Sequence, residues 1–381
     1  MYKRLLKSPL QGKKSFFLFG PRGTGKTSWL RKEAPSALYI DLLNQDTYFE
    51  LLKNPHSIEK MIPKGFADWI IIDEIQKIPE LLDEVHRMIE SFHYTFILTG
   101  SSARTLKRKG VNLLGGRALN INMFPLTATE LGEDFRLEHS LKYGQLPTVY
   151  DDQEGAKMYL KSYIQVYLKE EVMQEGLVRN VRTFTRFLET ASFSQGSLIN
   201  TSEIARESGM ERKTVEDYFQ ITEDLLLATR LPVFTKRAKR KMVTKQKFYF
   251  FDVGVYRALR PMGPFDYPEE AEGPALESLV FQELQAINHY LDLEYTLYFW
   301  RTEDKLEVDF VLYGEKGVIG VEVKRSKTIQ PKDLKGLRAF KKDYPLAKLY
   351  IFYGGSHRLY FDEIEAIPLQ EALLNLGTLI S

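Results

Sequence analysis

Short apolar runs, each ending in glycine or a charged turn, mark the first 130 residues: SFFLF at 15–19, WIII at 69–72 and TFILT at 95–99. Such runs predict short strands buried on both faces, as in a parallel sheet. SWLRKEA, just after the first run, predicts a helix. Within 151–190 the spacing lengthens: Tyr159, Tyr163, Val166 and Tyr167 recur three or four residues apart, and Gly176 closes the run. This predicts a helical lid or connector with its aromatics in the core. Residues 198–218 predict a helix, a tight turn at Gly209 and a second helix, with a third helical stretch from Phe219 to Leu227. KFYFFDVGVY at 247–256 predicts an alternating strand, and PFDYPEEAEGP at 264–274 a turn-rich linker. Helical spacing returns at Leu276, Leu279, Val280, Leu284 and Ile287, followed by three strands at 297–301, 307–312 and 318–324. The chain is therefore expected to be α/β, with breaks near residues 135, 192 and 263.

Composition narrows the chemistry. A chain of 381 residues with 44% apolar content is long enough for two or three domains with buried cores. It has no cysteine, so disulfides, thiolate nucleophiles, iron–sulfur clusters and Cys-ligated zinc are excluded. Its six histidines show no metal-binding spacing. Lys+Arg minus Asp+Glu is 53 − 51 = +2, which excludes a histone-like surface but not a local basic patch. Lys236–Lys247, KRAKRKMVTKQK, carries seven Lys/Arg in twelve residues, while PEEAE at 268–272 is acidic. No apolar run approaches the length of a membrane span, and the basic N-terminal stretch lacks an apolar core. A cytoplasmic protein with no membrane segment is expected.

Between the first strand and its helix stands Gly20-Pro21-Arg22-Gly23-Thr24-Gly25-Lys26-Thr27, with Ser28 following. G-x-x-x-x-G-K-T in that context is a phosphate-binding loop. Its glycines let backbone amides turn inward around a triphosphate, and the helix N-terminus adds partial positive charge. Lys26 can reach the β- and γ-phosphates, and the Thr27 hydroxyl can ligate Mg²⁺. The second strand ends in Asp73 and Glu74. Two carboxylates there are costly unless they face a metal and a reacting water. Asp73 would hold the Mg²⁺ and Glu74 would polarise the attacking water. After the third strand, Ser101 or Ser102, or else Thr99, can sense the γ-phosphate; either serine serves equally as a helix N-cap. Arg117, after Gly115-Gly116, is either an arginine finger for a neighbouring subunit or a surface arginine.

Together GPRGTGKT, WIIIDEIQ, FILTGSS, LLGGRA and FPLTATEL make residues 15–130 resemble the P-loop ATPase core of the AAA+ type. The whole chain resembles a prokaryotic family in which that ATPase is fused to a C-terminal domain of unknown function. The resemblance implies ATP with Mg²⁺ as cofactors and subunit-shared sites, so a homo-oligomer, even a ring, is open alongside a monomer. Where the family carries an Asp near the end of the 151–190 run, this chain has Glu170 or Glu171.

The helices at 198–227, the basic run and the strand after it resemble a winged helix. Its second helix would expose Glu211, Arg212, Lys213, Glu216 and Asp217. Three acids there oppose phosphate binding, whereas the basic wing favours it, so DNA contact and protein docking both stand. In the C-terminal part, Asp309 precedes Glu322-Val323-Lys324 with twelve residues between. Strand alternation puts Glu322 and Lys324 on one face, and an aligned hairpin sets Asp309 beside Glu322. With Glu277 from the preceding helix, these residues suit Mg²⁺ or Mn²⁺, with Lys324 activating water or offsetting phosphate charge. Residues 273–353 resemble a PD-(D/E)XK nuclease core; cross-strand acid–lysine pairing gives a structural alternative.

The expected organisation is a P-loop ATPase core at 1–135, a helical lid at 136–192, a winged helix at 193–263 and a restriction-endonuclease-like domain at 264–381. The expected activity is ATP hydrolysis coupled to work on DNA, by remodelling or by metal-dependent cleavage. The alternative is an ATP-driven regulatory or assembly switch whose later domains dock proteins without cutting DNA.

Overall fold

The computed structural model describes every residue except 1, 13, 102–105, 107–113, 116, 168–171, 174–179 and 264–267. The apolar runs become the middle of a five-stranded sheet. Strands β1 (Phe16–Phe19), β2 (Leu38–Asp41), β3 (Trp69–Asp73), β4 (Thr95–Gly100) and β5 (Leu119–Asn122) lie in the order β2-β3-β4-β1-β5, every neighbouring pair parallel. Consecutive apolar side chains alternate between the faces and fill both. Phe17, Ile70, Ile72, Phe96 and Leu98 share a core with Leu51 of α2 (Gln45–Lys53) and with Leu82, Val85 and Met88 of α3 (Leu81–Phe92). Phe16, Leu18, Ile71 and Ile97 pack instead with Trp29 and Leu30 of α1 (Lys26–Glu33). Parallel pairing brings the ends of β1, β3 and β4 to one edge, where open α/β sheets hold their ligands.

The middle of the chain is helical: α4 (Leu137–Tyr143), α5 (Ala156–Ser162), α6 (Val181–Ser192), α7 (Thr201–Ser208) and α8 (Arg212–Asp224). Tyr163–Tyr167 continues α5 as a π-helix. An antiparallel pair follows, β6 (Ala228–Leu231) with β7 (Lys247–Phe250), then α9 (Val253–Leu259). The long α10 (Pro268–Tyr290) leads into a six-stranded sheet of β8 (Thr296–Arg301), β9 (Glu307–Gly314), β10 (Gly317–Lys324), β11 (Lys348–Tyr353), β12 (Leu359–Phe361) and β13 (Ile364–Pro368), ordered β12-β13-β11-β10-β9-β8. α11 (Lys335–Asp343) packs on it, placing Leu337 and Phe340 against Trp300, Val308 and Ile351. The expected order of helix, three strands and helix over 273–353 is present.

Four local expectations change. The third helical stretch at 219–227 is the continuation of α8 to Asp224, because Val215, Phe219, Ile221 and Thr222 bury one unbroken side. The strand at 247–256 stops at Phe250, because Asp252 caps α9 by accepting from the Val255 N–H. The linker at 264–274 is helical from Pro268, and α10 tolerates Pro274 because Ala271, Ala275 and Leu276 are buried beside it. The basic segment is no free wing. It runs along β8, the edge strand, with Phe234 N–H donating to Phe299 O at 2.7 Å and Val243 N–H to Arg301 O at 3.2 Å. Covering an edge satisfies its unpaired backbone groups. Arg240 pairs with Asp343 at 2.7 Å and Lys241 with Glu303 at 3.0 Å, so the segment spends charge internally.

α10 acts as a spine. Ala286 and Tyr290 enter the ATPase-side core, while Leu276, Leu279, Val280 and Leu284 belong to a core running from Leu126 to Ile380. Its polar side chains catch backbone amides of other segments. Gln282 accepts from Val253 N–H, Glu283 from Ala128 N–H, His289 from Asn122 N–H and Tyr290 from Phe124 N–H. Among the described residues no helix is long and apolar enough to cross a membrane.

Candidate functional site

The loop from Gly20 to Gly25 connects β1 to α1 as its residue types require. Gly25, the N-cap, has φ 93°, and Gly23 has φ 84°, a region that favours glycine. A Cβ on Gly20 would lie 2.3 Å from the Met123 carbonyl oxygen, so this chain crossing also needs glycine. Thr24 is fully buried and donates to Pro21 O at 2.9 Å. The Lys26 ammonium is folded back into the loop, 2.5 Å from Gly20 O and 3.2 Å from Pro21 O. Pro21 is buried, Arg22 half-buried and Ser28 exposed.

Asp73 ends β3 facing this loop. Three hydroxyls converge on it: Thr27 at 3.3 Å, Tyr39 and Thr99. Burial and the Asp73 charge push the Tyr39 hydroxyl well above its usual range, so it stays a neutral donor. Glu74 is left-handed, with φ 61°, turning its side chain away from the strand line. Gln76 donates to Glu74 and also to Ser101 Oγ at 3.2 Å. Thr99 thus touches Asp73 directly, and Ser101 is linked to Glu74 through Gln76. Ser102, Glu170 and Glu171 lie outside the described residues.

The donor set fits ATP with Mg²⁺: a buried ammonium at a glycine loop, with a hydroxyl and a carboxylate as hard oxygen ligands. The helical middle presses on that loop. Tyr163 Oη donates to Arg22 O at 3.0 Å, and a Cβ on Gly23 would lie 2.8 Å from the Tyr159 hydroxyl. Arg4 reaches the loop from the other side. Its guanidinium donates to Thr24 O at 3.0 Å, Phe124 O at 2.6 Å, Glu130 at 3.0 Å and Tyr290 Oη at 2.8 Å. Tyr39 and Arg4 carry no motif, and Gln76 ends WIIIDEIQ without a role assigned from sequence; only the fold identifies them.

Arg117 precedes β5, at the sheet end opposite the loop, and pairs with Glu90 on α3. A contact between Arg117 and a γ-phosphate therefore requires a second copy of the chain.

The C-terminal residues do converge. Register places Val321 opposite Phe310, which continued by one step sets Asp309 opposite Glu322. Asp309 accepts from Val323 N–H at 2.8 Å, and Lys324 donates to Glu322 at 2.5 Å. The centre, however, belongs to Lys247, unforeseen in the basic run. Its ammonium lies 2.6 Å from Glu307, 3.5 Å from Glu277 and 3.6 Å from Asp309. Burial works against this charge, but Tyr249, Glu277, Asp309 and Glu307 hold its pKa well above the usual lysine range. Burial pushes Glu277 and Glu322 upward, with Lys247 and Lys324 opposing. Among the described residues no group of three or more His, Asp or Glu is placed to hold a metal ion. Of the acids expected to hold a metal, Glu277 and Asp309 lie beside the Lys247 ammonium and Glu322 beside that of Lys324.

Residues 12–132 match an AAA domain, 135–266 a domain of unknown function (DUF8612), and 272–372 another (DUF4143). An uncharacterized Mycobacterium tuberculosis protein is 27% identical over 373 residues, with 93% of this chain and 80% of that protein covered. An uncharacterized Haemophilus influenzae protein is 23% identical, covering 80% of each. One from Methanocaldococcus jannaschii is 24% identical, covering 86% of this chain and 79% of the other. Among solved structures, Aeropyrum pernix Orc1 in complex with DNA aligns with 65% of this chain and 86% of its own at 15% identity, TM-score 0.23. A Vibrio cholerae protein aligns with 90% of this chain and 97% of its own at 9% identity, TM-score 0.24. At these scores neither structural likeness bears on the fold. The chain carries an AAA-family domain, and at family level such domains bind and hydrolyse ATP.

Proposed function

We propose that this chain is an ATP-hydrolysing switch that acts on nucleic acid, its nucleotide site driving the middle and C-terminal segments. The observation that carries the reading is the meeting at one sheet edge of Lys26, the Thr27–Asp73 pair and Glu74. Thr27 and Asp73 would hold Mg²⁺, which supplies charge neutralisation to the phosphates. Lys26 exchanges its carbonyl partners for phosphate oxygens. Glu74 accepts a proton from the attacking water, and Gln76 orients that carboxylate. Ser101, through Gln76, and Thr99, through Asp73, are placed to report phosphate loss. Arg4 ties the loop to α10, so a loop movement bears on the C-terminal segments. Arg117 serves as a finger only in an assembly of copies.

Nucleic acid as the object of the cycle is supported by the cations that line one cavity of the helical middle, Lys142, Lys157, Lys161, Arg257 and Arg260, not by 236–247. Metal-dependent cleavage at Asp309, Glu322 and Lys324 is the weaker reading, because Lys247 occupies its centre. The test is phosphate release by the full chain with Glu74→Gln. Turnover should fall at least ~100-fold while ATP binding persists. Wild-type turnover in that variant would overturn the assignment, and absence of any wild-type oligonucleotide binding at low salt would remove nucleic acid from the reading.

A further inference from the structure

On the side of α5 away from the phosphate loop lies a cavity of about 810 Å³. Helices α4, α5, α6 and α9 wall it. Among the described residues five cations line it, Lys142, Lys157, Lys161, Arg257 and Arg260, against one carboxylate, Glu189. Among the described residues none of the first four has a carboxylate within ion-pair distance. Arg260 is nearly buried, at 9% exposure; its guanidinium stacks 4.5 Å from the Phe193 ring and lies 3.7 Å from Glu270. Its Nε is buried without a hydrogen-bond partner, an unmet donor beside the cavity. A second cavity of about 480 Å³ shares Lys142 and Arg257 with the first and continues to Lys324 and Arg325, with Glu138 and Glu272 beside them. Arg325 pairs with Glu272 and Lys324 with Glu322, so the unpaired positive charge is concentrated at the α5 end.

The geometry points to this joined cleft as the binding site for a nucleic-acid single strand, its phosphodiesters on Lys142, Lys157, Lys161, Arg257 and Arg260. The inference rests on the reading of the chain as an ATPase acting on nucleic acid and assigns the place and the strand form. The first cavity alone has the room of a small-ligand site; the second, with Lys142 and Arg257 in its wall as well, adds length beyond one nucleotide. Ile164 and Met262 offer apolar surface for bases. The lysines also face away from the ATP site on one short element. Lys157 and Lys161 are one helical turn apart, whereas Tyr159 lies about 200° round the helix from each, toward the phosphate loop. A strand seated on one side of α5 therefore bears on the loop through the other, and the adjoining π-turn is a form frequent at functional sites.

The experiment measures fluorescence anisotropy of a labelled single-stranded DNA of about 15 nucleotides, titrated with the full chain from about 50 to about 200 mM salt. It compares wild type, the double variant Lys157→Gln/Lys161→Gln and a control, Lys60→Gln/Lys64→Gln, on the exposed ATPase surface. Melting temperature shows that each folds. The cleft variant should bind at least about tenfold more weakly at low salt, with a salt slope shallower by about 1.4, or 0.7 per lost phosphate contact; the control should match wild type. Equal affinity and slope in all three would overturn the cleft while leaving nucleic acid in the wider reading. Displacement of the labelled strand by a mononucleotide as readily as by unlabelled strand would overturn the strand form. No binding by wild type would overturn both.

Discussion

Arg4 and Tyr290, 286 positions apart in the chain, share a 2.8 Å hydrogen bond. The same guanidinium holds Thr24 O inside the phosphate loop, and the same hydroxyl accepts from Phe124 N–H at 2.9 Å. Burial raises the Tyr290 pKa to about 12, so its hydroxyl is neutral and available to both. Tyr290→Phe should cost about 1–3 kcal/mol in urea unfolding, since two buried donors lose their acceptor. Arg4→Ala should also raise the ATP Kd several-fold by freeing Thr24. An Arg4→Ala protein that is destabilised yet binds ATP with wild-type affinity would reduce Arg4 to a structural clamp.

Asp73 is held by more hydroxyls than a metal ligand alone needs. Thr99→Val removes one of them and leaves the chain's shape nearly unchanged. Half-maximal turnover should then require roughly tenfold more Mg²⁺, because the carboxylate is less well oriented. Turnover measured across a Mg²⁺ series decides the point; an unchanged midpoint would place Thr99 outside the metal site.

Lys247→Met keeps the packing and deletes the ammonium. Three carboxylates then lose their common cation, a loss of about 3–5 kcal/mol for a buried charge cluster. Mn²⁺ at millimolar levels should leave the wild-type melting temperature unmoved and restore part of that of the variant. A wild-type protein stabilised by Mn²⁺ in the absence of nucleotide, or one cutting DNA, would return the C-terminal cluster to metal chemistry.

Glu283 supplies a pH signature. Burial raises its pKa from 4.5 to about 8, against hydrogen bonds from Gln145 and the Ala128 N–H. The folded chain thus holds a proton that the unfolded chain releases. Its contribution is complete below pH 4.5, declines as pH rises, and is gone once pH passes about 8. Asp252, raised to about 6, and Glu277, raised to about 7, act in the same sense in both chains, so the difference between wild type and Glu283→Gln isolates Glu283. There the stability advantage of wild type over Glu283→Gln should shrink by about 1.4 kcal/mol per pH unit. Parallel urea profiles at pH 6 and pH 8 would refute it.

The phosphate loop, Asp73 and Glu74 were legible in the sequence because their chemistry is local: the loop, its strand and its helix are contiguous, and the acids end an apolar run. Asp309 beside Glu322 was legible too, since strand alternation and a hairpin decide it. Lys247 was not, because its partners come from α10 and β9, and in sequence it looks like one more charge in a basic tract. Asp252 likewise looks like a polar position in an alternating strand; its role depends on the Val255 N–H of its own helix and the Gln145 N–H, 107 positions away. Tyr159 and Tyr163 had the spacing of core aromatics, yet the loop they press on lies more than a hundred positions earlier in the chain.

The ammonium among Glu277, Glu307 and Asp309 also makes the cluster independent of ion supply. A bound metal can be stripped by a chelator or starved by the medium; a lysine on β7 leaves only when β7 leaves. Neutralising those acids and docking the middle of the chain onto its C-terminal sheet are consequently a single event, and any agent that pries the two apart must also expose bare carboxylates in an apolar setting.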